Sequence, residues 1–173
     1  TSDDQQEINE EEEITGDVGY LYHEDKLQKT IDSGLNWSEI PKIESEILID
    51  FDFISNSLGY IVTQEGNFYQ TTNSGTTWEL QSSKLSGTKK IDFINESVGY
   101  RKVIIGTGSY LYKTTNSGVN WTLQYAVASE STYLSNMSEF DFVSDSVGYR
   151  MTWDMMLFKT MDSGNTWIEI GEI

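Results

Sequence analysis

Few residues of this chain are of the types that carry out catalysis. The 173 residues include no cysteine, so thiolate chemistry is excluded, and a Ser-His-Asp arrangement would depend on His23 alone. His23 begins the polar stretch His23-Glu24-Asp25-Lys26, where neighbouring strand residues point to opposite faces. We therefore expect a solvated hairpin tip there rather than a metal or catalytic site. The 28 acidic residues could supply a two-carboxylate glycosidase, but so many acids place some pair at a suitable distance by chance.

A binding surface in the second half of the chain is a better functional candidate. Arg101 and Arg150 are the only arginines, and Trp153 and Asp154 follow Arg150 closely. An exposed aromatic side chain beside an arginine can anchor a protein partner or stack on a sugar. The alternative is that Trp153 only fills space beside the two methionines after Asp154, because large aromatic side chains usually serve packing.

The longest segment between repeating units runs from Val127 to Met137 and contains Tyr133. Loops on a rigid scaffold often hold binding residues. We predict ligand contacts at five residues and neither catalytic residues, metal ligands nor a cofactor. The predicted ligand-binding residues are Trp153, Arg150, Asp154, Arg101 and Tyr133.

The element that must position these residues is a nine-residue stretch that occurs four times, ending at each of the other four tryptophans. Its pattern is (K/Q)-T-x-(D/N)-S-G-x-(N/T)-W. We predict a turn in which the Asp or Asn side chain bonds the backbone two positions on, and glycine takes a positive φ. The turn already uses these polar groups, so we expect a structural role rather than a calcium or sugar site. The structural residues are Asp32, Gly34, Trp37, Asn73, Gly75, Trp78, Asn116, Gly118, Trp121, Asp162, Gly164 and Trp167.

A second signature precedes three of the four copies and has the form D-F-x-x-x-x-x-G-Y. The four box tryptophans are spaced 41, 43 and 46 residues apart, and a fixed period of this length rich in strand formers indicates blades of a β-propeller. We predict an all-β array with almost no helix and with repeats at about 14–40, 47–83, 89–126 and 137–173. The predicted core comprises the box tryptophans with Leu27, Phe68, Leu111, Leu157, Phe53, Phe93 and Phe142.

The stretch from Thr30 to Trp37 resembles the Asp-box, S/T-x-D-x-G-x-T/S-W, of BNR repeats and departs from it at Asn36. With the upstream F-x-x-x-x-x-G-Y, the repeat is similar to the photosystem II assembly-factor type of Asp-box propeller. The resemblance covers residues 14–173 and implies four-stranded antiparallel blades with the boxes on the outer rim. Similar boxes occur in sialidases, sorting receptors and glucanases. A sialidase needs three converging arginines, whereas this chain has two, at equivalent repeat positions.

Charge and composition restrict the partners. The net charge of −17 disfavours nucleic acid, whose phosphates need a basic surface, and no apolar run reaches membrane-spanning length. Residues 1–13 hold seven carboxylates and no base, which predicts a disordered acidic tail. The opening Thr-Ser-Asp-Asp-Gln-Gln resembles the tether behind the lipidated cysteine of bacterial surface lipoproteins. We therefore expect an extracytoplasmic protein, periplasmic or at the cell surface; the alternative is an ordinary solubilising terminus.

The first repeat departs from the others in its inner strand. Glu13 stands where Phe53 stands in the second repeat, and three further glutamates precede it. Buried unpaired charges are costly, so we expect an incomplete first blade whose exposed edge favours a homo-oligomer or a longer array. The alternative is a small open ring in which Ile14 and Thr15 pair weakly.

These observations favour a non-catalytic binding or scaffold module of a secreted or surface-tethered bacterial protein, with a propeller face that contacts a protein partner. The alternative is a carbohydrate-binding or reduced glycosidase-like protein that binds a glycan. A deep cleft with paired carboxylates beside Trp153 would favour the carbohydrate alternative, and a shallow apolar patch would favour a protein partner.

Overall fold

A computed structural model describes residues 17–83, 85–127 and 137–173. Every regular element in these ranges is a β-strand, so the predicted all-β fold is confirmed. The chain divides into two compact units, one that ends at Ile40 and one from Pro41 to Ile173. The strands are β1 (Gly19–His23), β2 (Lys26–Thr30), β3 (Ser38–Glu39), β4 (Leu48–Phe53), β5 (Gly59–Thr63), β6 (Phe68–Thr71), β7 (Glu79–Ser82), β8 (Thr88–Phe93), β9 (Gly99–Ile105), β10 (Gly108–Thr114), β11 (Thr122–Val127), β12 (Met137–Phe142), β13 (Gly148–Thr152), β14 (Met156–Thr160) and β15 (Ile168–Glu172).

The first unit contains one antiparallel sheet with the strand order β1-β2-β3. Gly19 pairs with Thr30 across the first hairpin, and Gln28 pairs with Glu39 across the second. An inner strand matching those of the other repeats would fall before β1, on residues outside the described ranges. The incomplete first blade, the disordered tail and the lipoprotein tether therefore stay predictions.

The second unit contains three four-stranded antiparallel sheets, one for each of the remaining repeats. Their strand orders are β4-β5-β6-β7, β8-β9-β10-β11 and β12-β13-β14-β15, so each sheet is a simple meander. We call them the second, third and fourth sheets. Each begins with the strand that carries the Asp-Phe pair and ends with the strand after the box tryptophan, as the repeat predicts.

The box turn is held chiefly by its threonine. In the third sheet the Thr114 hydroxyl oxygen accepts backbone N–H bonds from Asn116 at 3.2 Å and from Gly118 at 2.9 Å. The Asn116 side chain accepts from the backbone N–H of Asn120, four positions on, at 2.9 Å. The predicted bond two positions on is therefore wrong, because the threonine hydroxyl already occupies the inside of the turn.

The serine before each box glycine shares its left-handed backbone. Ser117 has φ 57° and Gly118 has φ 83°, and the other three boxes repeat this pair of values closely. Two successive positive φ angles reverse the chain tightly, and serine tolerates this conformation at a cost that glycine does not incur. The predicted positive φ at the glycine is confirmed, while the serine was not anticipated.

The F-x-x-x-x-x-G-Y signature follows from packing across one strand pair. Phe93 pairs directly with Gly99, and a Cβ placed on Gly99 would lie only 2.6 Å from the Phe93 ring. The ring therefore covers the glycine backbone, which no larger residue would permit. The next residue, Tyr100, stacks on Phe142 of the fourth sheet with ring centroids 3.4 Å apart.

Five of the eleven predicted core residues are buried. They are Leu27, Phe68, Leu111, Phe93 and Phe142. None of the four box tryptophans is fully buried. Trp121 meets Phe93 edge-on at a centroid distance of 6.0 Å. Residues that depart from the predicted full burial are Trp37, which is exposed, and Trp78, Trp121, Trp167, Phe53 and Leu157, which are intermediate.

Candidate functional site

Arg150 lies in the middle of β13 and points its guanidinium between the third and fourth sheets. The group stacks over the ring of its cross-strand neighbour Phe158 at 4.1 Å and over Trp167 at 5.3 Å. The ring centroid of Tyr125, on β11 of the third sheet, lies 4.9 Å from the guanidinium carbon. Only 5% of Arg150 is exposed, and burial lowers the pKa of this arginine. The sequence thus places a cation in an aromatic cage.

The cage leaves most of the guanidinium donors unsatisfied. Nη2 donates a long bond of 3.3 Å to the Tyr125 hydroxyl. Nε and Nη1 are buried and have no hydrogen-bond partner among the residues that the structure describes. No carboxylate in the described ranges lies within ion-pair distance of Arg150. Buried donors of a charged group are normally paired, so two unpaired nitrogens on one buried guanidinium are an exception to that rule.

Arg101 occupies the equivalent position in the third sheet but is differently bound. It stacks over its cross-strand neighbour Tyr112 at 4.7 Å and over the box residue Trp121 at 5.2 Å. Its Nη1 donates to the Thr88 hydroxyl at 3.0 Å. Thr88 pairs with Val103, which is two residues after Arg101. In the fourth sheet Met137 pairs with Thr152, which is two residues after Arg150, so Met137 is the counterpart of Thr88. The residue that accepts the Nη1 bond of Arg101 thus has a methionine, without a hydroxyl, as its counterpart in the fourth sheet.

Arg150 lines a pocket of about 200 Å³ at the junction of the third and fourth sheets. The lining combines apolar side chains with polar groups, which belong to Tyr125, Arg150, Thr152 and Asp154. The Thr152 hydroxyl is already used, because it donates to Asp154 and accepts from the backbone N–H of Met156. The residues that line the pocket are Tyr125, Val127, Arg150, Thr152, Asp154, Met156 and Phe158.

Trp153 lies in the tight turn between β13 and β14, beside this pocket. It is 51% exposed, and Met155 in the same turn is 56% exposed. Met155 adopts a positive φ of 65°, and its backbone N–H donates to the Thr152 carbonyl at 3.0 Å. The turn therefore presents two large apolar side chains next to the lining residue Asp154.

The structure brings two of the five predicted ligand-binding residues to one pocket, which Arg150 and Asp154 line. Trp153 lies between the lining residues Thr152 and Asp154 in the chain but does not itself line the pocket. Arg101 lies in the third sheet, is only 8% exposed, and does not line this pocket. It therefore does not join the predicted surface. Tyr133 lies outside the described residues.

Two neighbours of Arg150 escaped the sequence analysis. Tyr125 lies four residues after a box tryptophan, and its counterpart after Trp78 is Ser82, so the repeat pattern alone does not mark it. Met137 was noted only as the end of a connector. Aligning Thr88 with Met137 through the repeat would have shown that one arginine loses a hydroxyl partner.

The described lining of the pocket offers one carboxylate. Asp154 is the only acidic residue among the described residues that line it, whereas glycoside hydrolysis needs two carboxyl groups on opposite sides of the bond. No group of three or more potential metal ligands occurs among the residues that the structure describes. His23, at the end of β1, lies 3.6 Å from Glu24 and is exposed to solvent. The arrangement can therefore bind an anion and apolar groups.

A second pocket of about 200 Å³ lies along the third box, between Lys113 and Gln124. Its cation is already engaged, since the Lys113 ammonium forms an ion pair with Asp145 and donates to the Ser163 hydroxyl at 2.9 Å. The Asn116 side chain that lines this pocket holds the box turn. This pocket therefore offers a ligand little that is not already used by the fold.

Inner-strand aspartates connect neighbouring sheets. The Asp50 carboxylate accepts the backbone N–H of Ile91 at 2.7 Å, and Asp92 accepts that of Phe142 at 2.7 Å. Burial raises the pKa of Asp50 to about 6 and that of Asp92 to about 7, against the lowering effect of these hydrogen bonds. Asp52 bonds the N–H of Phe93 in the same way, and burial raises its pKa too. These carboxylates have a structural role.

Comparison with known proteins gives a family match. The family model described as photosynthesis system II assembly factor YCF48 matches residues 29–128. A comparison of the sequence with curated proteins found no match. The described residues contain no helix long and apolar enough to span a membrane.

Solved structures share the fold at low sequence identity. A structure of YCF48 bound to D1 peptide aligns with a TM-score of 0.52 and 15% identity, over 90% of this chain and 79% of that chain. An ancestral GH74 enzyme aligns with a TM-score of 0.64 and 13% identity, over 89% of this chain and 22% of that chain. The GH74 xyloglucanase of Xanthomonas campestris aligns with a TM-score of 0.59 and 12% identity, over 89% of this chain and 28% of that chain.

Proposed function

We propose, because this chain belongs to the family of the photosystem II assembly factor YCF48, that it is a non-catalytic module that binds a segment of a partner protein. The contact surface comprises the exposed turn Trp153–Met155 and the adjoining Arg150 pocket. The observation that carries this proposal is the turn itself, in which Trp153 is 51% and Met155 56% exposed. These two residues flank Asp154, which lines the Arg150 pocket. Exposed tryptophan beside a small pocket is a frequent anchor of protein interfaces.

The fold neighbours support this proposal to different degrees. YCF48 has been solved with a D1 peptide, so a protein of this fold type binds a peptide. The likeness to GH74 enzymes concerns the fold, and these enzymes extend well beyond the matched part. A carbohydrate-binding role is the second candidate, since Trp153 could also stack on a sugar ring. Asp154 is the only carboxylate among the described residues that line the pocket, which favours the peptide.

The setting that we propose is a secreted or surface-tethered bacterial protein. Its support is the composition of residues 1–13, which holds seven carboxylates and resembles a lipoprotein tether. An acidic, polar segment of this kind is suited to spacing a folded module from a surface.

The test is a selection of ligands from a random peptide display library, run beside a glycan array. Peptides enriched on the purified protein should bind with an affinity that calorimetry can measure. Trp153→Ala should weaken binding at least tenfold, because truncation of an anchoring tryptophan removes its buried contact area. Met161→Ala is the matched control, since Met161 is 64% exposed in the box turn of the same repeat. Its affinity should stay unchanged.

Two results would contradict this function. If the protein bound specific glycans on the array and the selection enriched no peptide, the carbohydrate-binding function would be favoured instead. Selected peptides that bind Trp153→Ala as tightly as the unchanged protein would show that the turn is not the contact surface.

A further inference from the structure

We propose that the Arg150 pocket is a carboxylate-binding subsite, which receives either the C-terminal carboxylate or an Asp or Glu side chain of the bound peptide. This inference rests on the proposed function, because it assigns the chemical group that the peptide places in the pocket. Two observations support the inference: the guanidinium of Arg150 is buried, and Arg150 lines an open pocket.

The guanidinium of this lining residue has unused donors. Nε and Nη1 of Arg150 have no hydrogen-bond partner in the described parts of the chain, and Nη2 makes a single bond of 3.3 Å. A planar guanidinium with several free N–H groups matches the two oxygens of a carboxylate. The stacked rings of Tyr125, Phe158 and Trp167 hold the guanidinium plane in place, so a ligand does not have to order it.

The rest of the pocket selects a carboxylate over a phosphate. Val127, Met156 and Phe158 line it with apolar groups that suit the carbon atoms beside a carboxylate. Asp154 contributes a negative charge to the same lining, and the whole chain carries −17. Both repel a dianion more strongly than a monoanion. Asp154 can also accept a hydrogen bond from a peptide N–H next to the carboxylate.

The equivalent arginine has fewer unused donors. Its Nε is likewise buried without a partner in the described ranges, but its Nη1 binds the Thr88 hydroxyl, whose strand position Met137 occupies in the fourth sheet. Arg101 lines neither of the two pockets described above. A conformational role between blades would require only the stacking that both arginines share. The missing hydroxyl and the open space beside Arg150 distinguish a ligand site from a structural arginine.

The experiment follows the Arg150 side chain directly by NMR. The Nε–Hε signals of Arg101 and Arg150 are assigned with Arg101→Met and Arg150→Met and observed while small ligands are added. N-acetyl-leucine tests a C-terminal carboxylate, and N-acetyl-glutamic acid α-amide tests a side-chain carboxylate. N-acetyl-leucinamide and inorganic phosphate are the controls. We expect a saturable shift of the Arg150 signal with at least one carboxylate, with a dissociation constant on the order of millimolar, and no saturable shift of Arg101.

The variants separate binding from folding. Arg150→Met should retain the fold, because an apolar side chain of similar length replaces an unpaired buried charge. It should lose carboxylate binding at least tenfold, whereas Arg101→Met should keep it. If Arg150→Met fails to fold, the titrations of the unchanged protein still show whether a carboxylate binds at Arg150.

Two outcomes would overturn the proposal. The first is that neither carboxylate shifts the Arg150 signal. The second is that phosphate or N-acetyl-leucinamide shifts it as strongly as the carboxylates do. Neither result affects the test of Trp153, so failure of the subsite remains distinct from failure of peptide binding.

Discussion

At the scale of single residues, the four box tryptophans and Trp153 have different environments. The indole N–H of Trp121 donates to the Gly118 carbonyl at 2.9 Å, and its ring is packed edge-on against Phe68 and Phe93 of the second and third sheets. The guanidinium carbon of Arg101 lies 5.2 Å from the centroid of the Trp121 ring. Trp153, in contrast, lies half exposed in a turn. One tryptophan therefore serves packing, and the other is available to a partner.

This difference predicts unequal effects of truncation on stability. Trp121→Ala should lower the free energy of unfolding by about 3–5 kcal/mol, because it leaves a cavity between two sheets. Trp153→Ala should cost less than about 1 kcal/mol, as surface changes usually do, while it weakens partner binding. Urea denaturation of both variants would measure the two values. Equal losses would refute this division of roles.

At the scale of the strand pair, the signature Phe and Gly form one packing unit. Phe53, Phe93 and Phe142 each pair with the glycine that begins the next strand, namely Gly59, Gly99 and Gly148. A Cβ on any of these glycines would lie 2.5–2.6 Å from a ring atom. The strand pair can therefore be built only with glycine at that place, and the requirement is one of space rather than of backbone φ.

The packing unit predicts the effect of adding one methyl group. Gly99→Ala should destabilise the protein by about 1–3 kcal/mol, since an added methyl in a close-packed site forces the ring or the strand to move. Gly19→Ala is the matched control, because the closest atom to a Cβ there is a Thr30 methyl at 3.2 Å. Thermal unfolding followed by circular dichroism would compare the variants. A loss at Gly99 no larger than that at Gly19 would contradict the packing argument.

At the scale of the whole molecule, buried carboxylates make stability depend on pH. Asp92 accepts a backbone bond from the fourth sheet, with Asp52, Asp141 and Lys90 as its charged neighbours. Burial raises its pKa to about 7, so the folded protein binds a proton that the unfolded chain releases near pH 4. This contribution to stability is complete at low pH and is lost as the pH rises through 7. Asp50, whose pKa burial raises to about 6, acts in the same direction.

The expected result is a melting temperature that rises as the pH falls from 8 to 5. From Asp92 alone, the shift corresponds to about 2–3 kcal/mol over that interval, at 1.36 kcal/mol per unit of pKa. Calorimetry at several pH values would measure it, and Asp92→Asn should flatten the curve because its amide oxygen accepts the same bond. Hydrogen bonds within the box lower the pKa of Asp32 to about 2, so the stability that Asp32 adds is lost only well below pH 4. A melting temperature that falls steadily from pH 8 to pH 5 would contradict the assignment.

What the sequence by itself determined is local. The box turns, the strand order of each blade and the Phe-Gly pairs are each contained within about 45 residues, and the same pattern recurs in successive repeats. Turn chemistry and strand alternation act between near neighbours, so residue types and spacing are enough to predict them. The resemblance to Asp-box propellers rests on these same local features.

Only the tertiary structure decided how Arg150 is used. Tyr125 lies 25 residues before it and accepts its hydrogen bond from another sheet, and strand register places Met137 opposite Thr152. The aspartate bonds likewise join residues 41 to 50 positions apart. Whether an arginine is exposed, satisfied or buried with free donors depends on which side chains the neighbouring sheet places beside it. That placement results from the packing of one blade on the next, which no pattern within a single repeat specifies.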